Sequence, residues 1–165
     1  VTAAGGDAWG TDGTDGTEDP DGTEDAVRAL EAQMTDLWRR GRAHTRALAR
    51  RVHPHLDPAT YVLLAAVLRH GPARLSALAV LLEIDKSTAS RQVDAAVRLG
   101  LAVRGPDPAD ARARVVALTA EGHARLEVLR GEQLLRWRGS LASWPAAELR
   151  TLTELLRRLG DTGVG

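Results

Sequence analysis

The stretch from Leu75 to Gly122 constrains the chain more than any other, because its apolar residues pass from helical spacing to β-rich runs and back between fixed turn residues. Leu75, Leu78, Ala79 and Leu82 stand at i, i+3, i+4 and i+7, which puts one apolar stripe on a short helix. Glu83-Ile84-Asp85 makes the turn. Asp85 is suited to cap the next helix by accepting from the backbone N–H of Ser87 or Thr88, leaving Lys86, Ser87, Thr88, Ser90 and Arg91 near an exposed N-terminus. That second helix turns Ala89, Val93 and either Ala96 or Val97 inward and ends at Gly100, a residue suited to the left-handed conformation at a helix terminus.

Two β-rich runs follow, Leu101-Ala102-Val103-Arg104 and Arg114-Val115-Val116-Ala117-Leu118. The segment Gly105-Pro106-Asp107-Pro108-Ala109-Asp110 between them carries the prolines and glycine of a hairpin tip, with Arg112 just beyond. Thr119 then opens a helix. Helix, turn, capped helix, hairpin and helix in that order predict a winged helix-turn-helix, and DNA binding is the leading functional reading.

Outside this region the pattern is helical, so the predicted fold is mainly α with a small β-hairpin wing. From Asp25 to about Val52 the residues Val27, Leu30, Met34, Leu37, Trp38, Leu48 and Val52 recur at three and four, as in one long amphipathic helix. His53-Pro54-His55 breaks it; Asp57 as cap and Pro58 at the first helical position begin another, in which Tyr61, Leu64, Ala65 and Leu68 face inward before Gly71-Pro72. After the wing a helix carries Leu126, Leu129, Leu134, Trp137 and Leu141, and Ser143-Trp144-Pro145 interrupts it. In the last helix Leu149, Leu152, Leu156 and Leu159 form a seam that packs against a partner helix. These terminal stripes need covering, and a homodimer supplies the cover; folding back within a monomer is the alternative.

At three places the chain resembles the MarR family of bacterial transcription regulators. Asp85-Lys86-Ser87-Thr88-Ala89-Ser90-Arg91-Gln92-Val93-Asp94 looks like the family's recognition helix, and Gly100-Leu101 leads into the wing as it does there. The third match is Asp110-x-Arg112 followed by Leu118-Thr119-Ala120-Glu121-Gly122. The likeness covers roughly residues 25 to 160, the usual size of one domain. It implies that residues 25–56 and 119–160 form dimerisation helices and that 57–118 are the DNA-binding region, with two reading heads in successive major grooves ~34 Å apart. It further implies that Arg112 enters the minor groove and that Asp110 braces the wing through a salt bridge. Three positions depart from the family pattern. Glu83 stands where such proteins often have glycine, and a non-glycine residue with positive φ is strained. Ala111 replaces a frequent arginine, and Ala96 is smaller than the usual leucine.

Charge agrees with a polyanionic partner. The chain balances 22 basic against 22 acidic residues. Eight of the acids, Asp7, Asp12, Asp15, Glu18, Asp19, Asp21, Glu24 and Asp25, precede the first basic residue, Arg28, so the rest of the chain holds 22 basic and 14 acidic residues, a surplus of +8. Such a surplus favours DNA, whose phosphates release counterions when neutralised. Residues 1 to 24, rich in Gly, Thr and Asp, are expected to be a disordered acidic tail, either a solubilising extension or a competitor for the DNA-binding surface.

The absence of cysteine excludes disulfides and thiol-based redox sensing. No apolar run approaches the ~20 residues needed to span a bilayer, and the acidic start does not read as a secretory signal, so a cytoplasmic protein without a membrane partner is expected. A glycine-rich phosphate loop, a cysteine nucleophile and a serine in a nucleophile turn are all missing, which argues against an enzyme. His53-x-His55 with Asp57 nearby suggests a metal site only weakly, since a proline separates the histidines; a solvated interhelical turn accounts for them, and no cofactor is expected.

The candidate DNA contacts are therefore Ser87, Thr88, Ser90 and Arg91 on the second helix, with Arg91 best fitted to guanine O6 and N7. Asp110 and Arg112 belong to the wing, and Arg74, Lys86, Arg98 and Arg114 are candidates for phosphate. Where relatives have an effector pocket, the resemblance implies one lined by Trp38, Arg42, Thr45, Tyr61, Leu64 and Leu68, suited to an anionic aromatic or lipophilic molecule; the same side chains also read as plain core. The expected function is a homodimeric, effector-responsive repressor on a palindromic operator. The alternative is a helical dimer with a degenerate reading head that acts through protein contacts.

Overall fold

In a computed structural model, residues 22–107 and 110–162 are described, the side chains of Ala111 and Arg112 excepted. The elements are α1 (Thr23–Val52), α2 (Pro58–His70), β1 (Ala73–Arg74), α3 (Leu75–Leu81), α4 (Lys86–Arg98), β2 (Ala102–Asp107), β3 (Asp110–Leu118), α5 (Ala120–Ser140) and α6 (Ala146–Asp161). The chain divides into two units, residues 1–41 and 42–165.

In the first unit the described residues are the N-terminal part of α1. Helix begins at Thr23, so Thr23 and Glu24, expected in a disordered tail, are helical; the rest of that tail lies outside the described residues. The Gly22 carbonyl accepts the Ala26 amide at 3.0 Å, and Glu24 and Asp25 sit in the first turn, where the helix dipole favours negative charge. The predicted stripe is present but uncovered, with Val27, Leu30, Leu37 and Trp38 all exposed.

The second unit holds the core. Leu48, Ala49 and Val52 of α1 meet Leu63, Leu64 and Val67 of α2, Leu78 of α3, Val93 and Ala96 of α4, and Leu126 and Leu129 of α5. Each fully buried leucine contributes about 1.5–3 kcal/mol. The α4 choice left open by the sequence is settled, since Ala96 is buried and Val97 exposed. Two ties join α1 to α5: Arg51 to Glu132 at 2.7 Å, and Arg125 Nη1 to the Val52 carbonyl at 2.8 Å.

Local chemistry starts and stops these helices where the sequence expects. Asp57 Oδ1 accepts the Thr60 amide at 2.9 Å with Pro58 following it, and Asp85 Oδ1 accepts the Thr88 amide at 2.8 Å. Both α3 and α4 end in the same motif. After α4, Leu101 and Gly100 donate back to Ala96 and Val97 at 3.0 Å, with Gly100 at φ 71°. After α3, Ile84 and Glu83 donate back to Ala79 and Val80 at 3.0 and 3.2 Å, with Glu83 at φ 53°. Glu83 alone among the described non-glycine residues has positive φ.

The sheet is antiparallel with order β1-β3-β2. Its two-residue β1 was not foreseen, because a pair of residues after Gly71-Pro72 leaves no alternation to read; Ala73 and Arg74 pair with Val116 and Val115. The hairpin strands also run farther toward the tip than expected. Pairing proceeds from Ala102↔Leu118 to Pro106↔Arg114 and then jumps to Asp107↔Asp110, so residues 111–113 are extra on β3. Such bulges re-aim side chains at the rim of a sheet.

After α5 the chain turns at residues 141–145 into α6, which buries none of its residues; Leu152, Leu155 and Leu156 are 39, 51 and 51% exposed. Among the described residues no helix is long and apolar enough to cross a membrane.

Candidate nucleic-acid interface

The N-terminus of α4 is the centre of the site. Asp85 accepts from the Thr88 amide and from both the Ser87 and Thr88 hydroxyls, the latter at 2.6 Å. Those donors, the Ser87 hydroxyl foremost, hold its carboxyl well below the usual carboxylate range. A capped helix start directs partial positive charge outward, the arrangement that receives phosphate. Lys86, Ser87 and Arg91 are exposed, while Thr88 and Ser90 are half-buried. Arg91 Nη2 donates to Thr88 Oγ1 at 2.9 Å, and no acidic side chain among the described residues pairs with it.

Beside α4 the wing is held by two arginines. Arg104 of β2 reaches Asp94 at 2.8 Å and Ser90 Oγ at 3.4 Å, tying the strand to α4. Sequence reasoning missed Arg104, since only the fold brings a β2 residue against the Ser90-Asp94 face. Arg74 of β1 donates through Nε to Asp107 at 2.7 Å and through Nη2 to Asp110 at 3.4 Å. The hydrogen bond and charge of Asp107 raise the Arg74 pKa above its ordinary value, with Asp110 adding to the effect. Arg74, expected as a phosphate contact, is thus engaged as a brace across the hairpin, and Asp110 sits in that brace. Arg98 and Arg114 are exposed, with no ion pair among the described residues. The Arg112 side chain lies outside the described ones.

The wing is anchored to α5 at its base. The Thr119 hydroxyl donates to the Gly100 carbonyl at 2.7 Å and accepts the Gly122 amide at 2.9 Å, while the Thr119 amide donates to Leu101 at 3.1 Å. Threonine is therefore both the cap of α5 and the latch on the α4 terminus.

A separate cleft of about 430 Å³ lies between α2 and α5, lined by Tyr61, Ala65, Leu68, Arg69, Leu126, Arg130, Gln133 and Leu134, with Gln133 donating to the Tyr61 hydroxyl at 3.3 Å. Of the six expected pocket residues, Tyr61 and Leu68 line it. Leu64 does not, because it is wholly buried in the core. Arg42 is exposed and Thr45 half-buried, and neither lines the cleft; Trp38 belongs to the first unit and is half exposed. Arg69 was legible as the next position on the Tyr61-Ala65-Leu68 face. The α5 wall, Leu126, Arg130, Gln133 and Leu134, has the i, i+4, i+7, i+8 spacing of one helix face. A second hollow of about 660 Å³ shares Arg130, Gln133 and Leu134 and adds His44, Arg136, Trp137 and Ser140.

At the turn after α1, His53 Nδ1 accepts the His55 amide at 3.2 Å. Among the described residues no three metal-capable side chains gather.

Comparison with known proteins gives this arrangement a family. The sequence profile of the MarR family matches residues 56–113, from the residue before the Asp57 cap to the wing bulge. The chain is 33% identical over 105 residues to the uncharacterized HTH-type transcriptional regulator YxaD of Bacillus subtilis (strain 168), covering 64% of this chain and 73% of that protein. Among solved structures it is similar to a probable transcriptional regulator from Pseudomonas aeruginosa, at 30% identity and TM-score 0.54 over 79% of this chain and 98% of the other. A MarR family transcriptional regulator from Silicibacter pomeroyi DSS matches at 27% identity and TM-score 0.60, over 84% and 89%. With a family-model match across α2, α4 and the hairpin, and a relative 33% identical over 73% of its own length, the chain belongs to the MarR family of transcriptional regulators, which are not enzymes.

Proposed function

We propose that the protein is a homodimeric repressor that binds a palindromic operator and changes its affinity when an effector alters the spacing of its two reading heads. The observation that carries this reading is the open N-terminal face of α4, where Lys86, Ser87 and Arg91 are exposed beside a hairpin held in place by Arg74 and Arg104. Arg91 is the base-reading residue, and Lys86, Arg98 and Arg114 neutralise phosphates. Arg112 enters the minor groove, as the family resemblance implies. Arg74 and Asp110 act on DNA through the shape of the wing.

Dimerisation is supported by apolar surface that a single chain leaves open. Leu152, Leu155 and Leu156 on α6, with Leu134 and Trp137 at 48 and 65% exposure on α5, form apolar helix faces that a second copy would bury. The α2–α5 cleft is the effector site in this reading. Tyr61 and Leu68 give it apolar walls, while Arg69 and Arg130 suit an anionic aromatic or lipophilic molecule.

Selection of DNA from a random pool by the purified protein tests the reading. Enrichment of a two-fold motif with half-sites about one helical turn apart is the expected result. Absence of any enriched motif overturns it in favour of a helical dimer acting through protein contacts.

A further inference from the structure

We propose that Thr88 is a positioning residue for Arg91, so that base discrimination at one operator position depends on a chain of hydrogen bonds running from Asp85 through Thr88 to the Arg91 guanidinium. This rests on the reading of Arg91 as a base contact and assigns Thr88 a role other than touching DNA itself.

The geometry fixes the direction of each bond. Thr88 Oγ1 lies 2.6 Å from Asp85 Oδ2, and a carboxylate only accepts, so the single hydroxyl proton of Thr88 points to Asp85. What remains on that oxygen is lone pairs. Arg91 Nη2 donates to them at 2.9 Å. The oxygen is thereby placed between an anion and a cation, and donation toward the carboxylate polarises it into a stronger acceptor for the guanidinium. Asp85 is itself pinned, since its Oδ1 accepts the Thr88 amide and the Ser87 hydroxyl. The chain therefore starts from a rigid point of the backbone and ends on the side chain that needs orienting.

The arginine gains something from this that helix position alone does not supply. Residues 88 and 91 are one turn apart on one face, which puts the two side chains within reach of each other. A long, exposed arginine otherwise samples many rotamers and loses that freedom on binding. Only one guanidinium N–H is used, and the others remain to meet two acceptors on a base edge. A hydroxyl whose proton is committed to Asp85 has no donor left for DNA, and it is half-buried where Ser87 and Arg91 are exposed. Serine at position 88 keeps the same oxygen; valine keeps the shape and removes it.

The test compares Thr88→Val, Thr88→Ser, Arg91→Ala and Thr88→Val/Arg91→Ala in the full chain. Binding is measured on the selected DNA and on fragments substituted one base at a time. Thr88→Val is expected to lower discrimination at the position that Arg91→Ala identifies by about 5- to 10-fold, a fraction of what a bidentate base contact supplies. Other positions and nonspecific affinity stay unchanged, Thr88→Ser restores discrimination, and Thr88→Val has no further effect once Arg91 is alanine. Additive effects in the double variant, a loss spread evenly over all sequences, or a loss at a different base each overturn the proposal.

A second readout needs no DNA. Nitrogen-15 NMR of the arginine side chains in the free protein should show hindered guanidinium motion at Arg91 in the parent and Thr88→Ser, and averaged motion in Thr88→Val. Hindered motion combined with an Arg91→Ala variant that binds every fragment normally would sink the base-contact reading while leaving the positioning intact. Unhindered motion in the parent would sink the positioning itself.

Discussion

Gly122 at the start of α5 lies directly against the backbone carbonyl of Leu101: a Cβ on residue 122 would stand 2.1 Å from that oxygen and 2.9 Å from its carbon. The neighbour is main chain, fixed by the Thr119 amide, so it has little room to give. Gly122→Ala should therefore force the wing base away from α5 at a cost of about 3 kcal/mol, the upper range for overpacking. In thermal melts followed by circular dichroism this should lower Tm by roughly 10 °C. Gly139→Ala, where a Cβ meets open space, serves as the control and should raise Tm slightly through helix propensity. Equal Tm values for the two variants would refute the contact.

The paired helix ends after α3 and α4 predict opposite responses to glycine. Glu83 and Gly100 occupy the same left-handed position in the same hydrogen-bonding motif, at φ 53° and 71°. A side chain there costs about 1–2 kcal/mol, partly offset because glycine also frees the unfolded chain. Glu83→Gly should gain about 0.5–1 kcal/mol and Gly100→Ala should lose about 1 kcal/mol, both read from urea unfolding midpoints. A Glu83→Gly variant less stable than the parent would show that Glu83 contributes something the backbone motif does not.

These elements also show what the sequence made legible. Asp57, Asp85 and Thr119 announce their helices because capping is local chemistry, decided within three residues, and Gly100 does the same for the end of α4. Glu83 was readable only as a departure from a pattern, and its strained φ follows from the two amides that must find Ala79 and Val80. The wing was foreseen as a hairpin with Asp110 in a salt bridge, yet β1, Arg74 as the cation of that brace and the Arg104 tie to Asp94 were not. Those join residues 10 to 43 positions apart, and nothing in the spacing of Arg74, Asp94 or Arg104 marks their partners. For the cleft, the family resemblance named Tyr61 and Leu68, which line it. It also brought in Leu64, because a stripe does not reveal which of its members the core covers completely.

The α2 cap is one place where acid should weaken the fold. Partial burial pushes the Asp57 carboxyl up, but hydrogen bonds from the Thr60 hydroxyl and amide and the Ala59 amide outweigh it, so its pKa lies below the ordinary 3.8. A carboxyl depressed in the folded state stabilises the fold above its unfolded pKa, and that contribution is lost as pH falls from about 4 through the lower folded value. Asp57→Ala should cost about 2 kcal/mol at pH 7, since it removes the cap and strips the wholly buried Thr60 hydroxyl of its acceptor at 2.6 Å. The difference between parent and Asp57→Ala should shrink below pH 4 in denaturant titrations; a constant difference down to pH 3 would argue that shape, not charge, sets the effect.

Arg74 and Arg112 should separate a braced wing from a charge on DNA. Arg74 is committed to Asp107, only 12% exposed, and to Asp110, so its removal takes away the cation that ties both carboxylates to β1 and loosens the bulge that carries residues 111–113. Affinity for the selected DNA should fall about 10-fold in Arg74→Ala, while the slope of log K against log salt changes by much less than one, because no phosphate contact is lost. Arg112→Ala should also weaken binding across all sequences, but with the slope reduced by about one. Arg91→Ala should instead relax preference at one base position, by about 1–3 kcal/mol, and leave nonspecific binding nearly intact. Salt titrations of the three variants on selected and random fragments make the comparison. If Arg74→Ala lowered the slope as much as Arg112→Ala, Arg74 would be a phosphate contact after all, and the brace would be secondary.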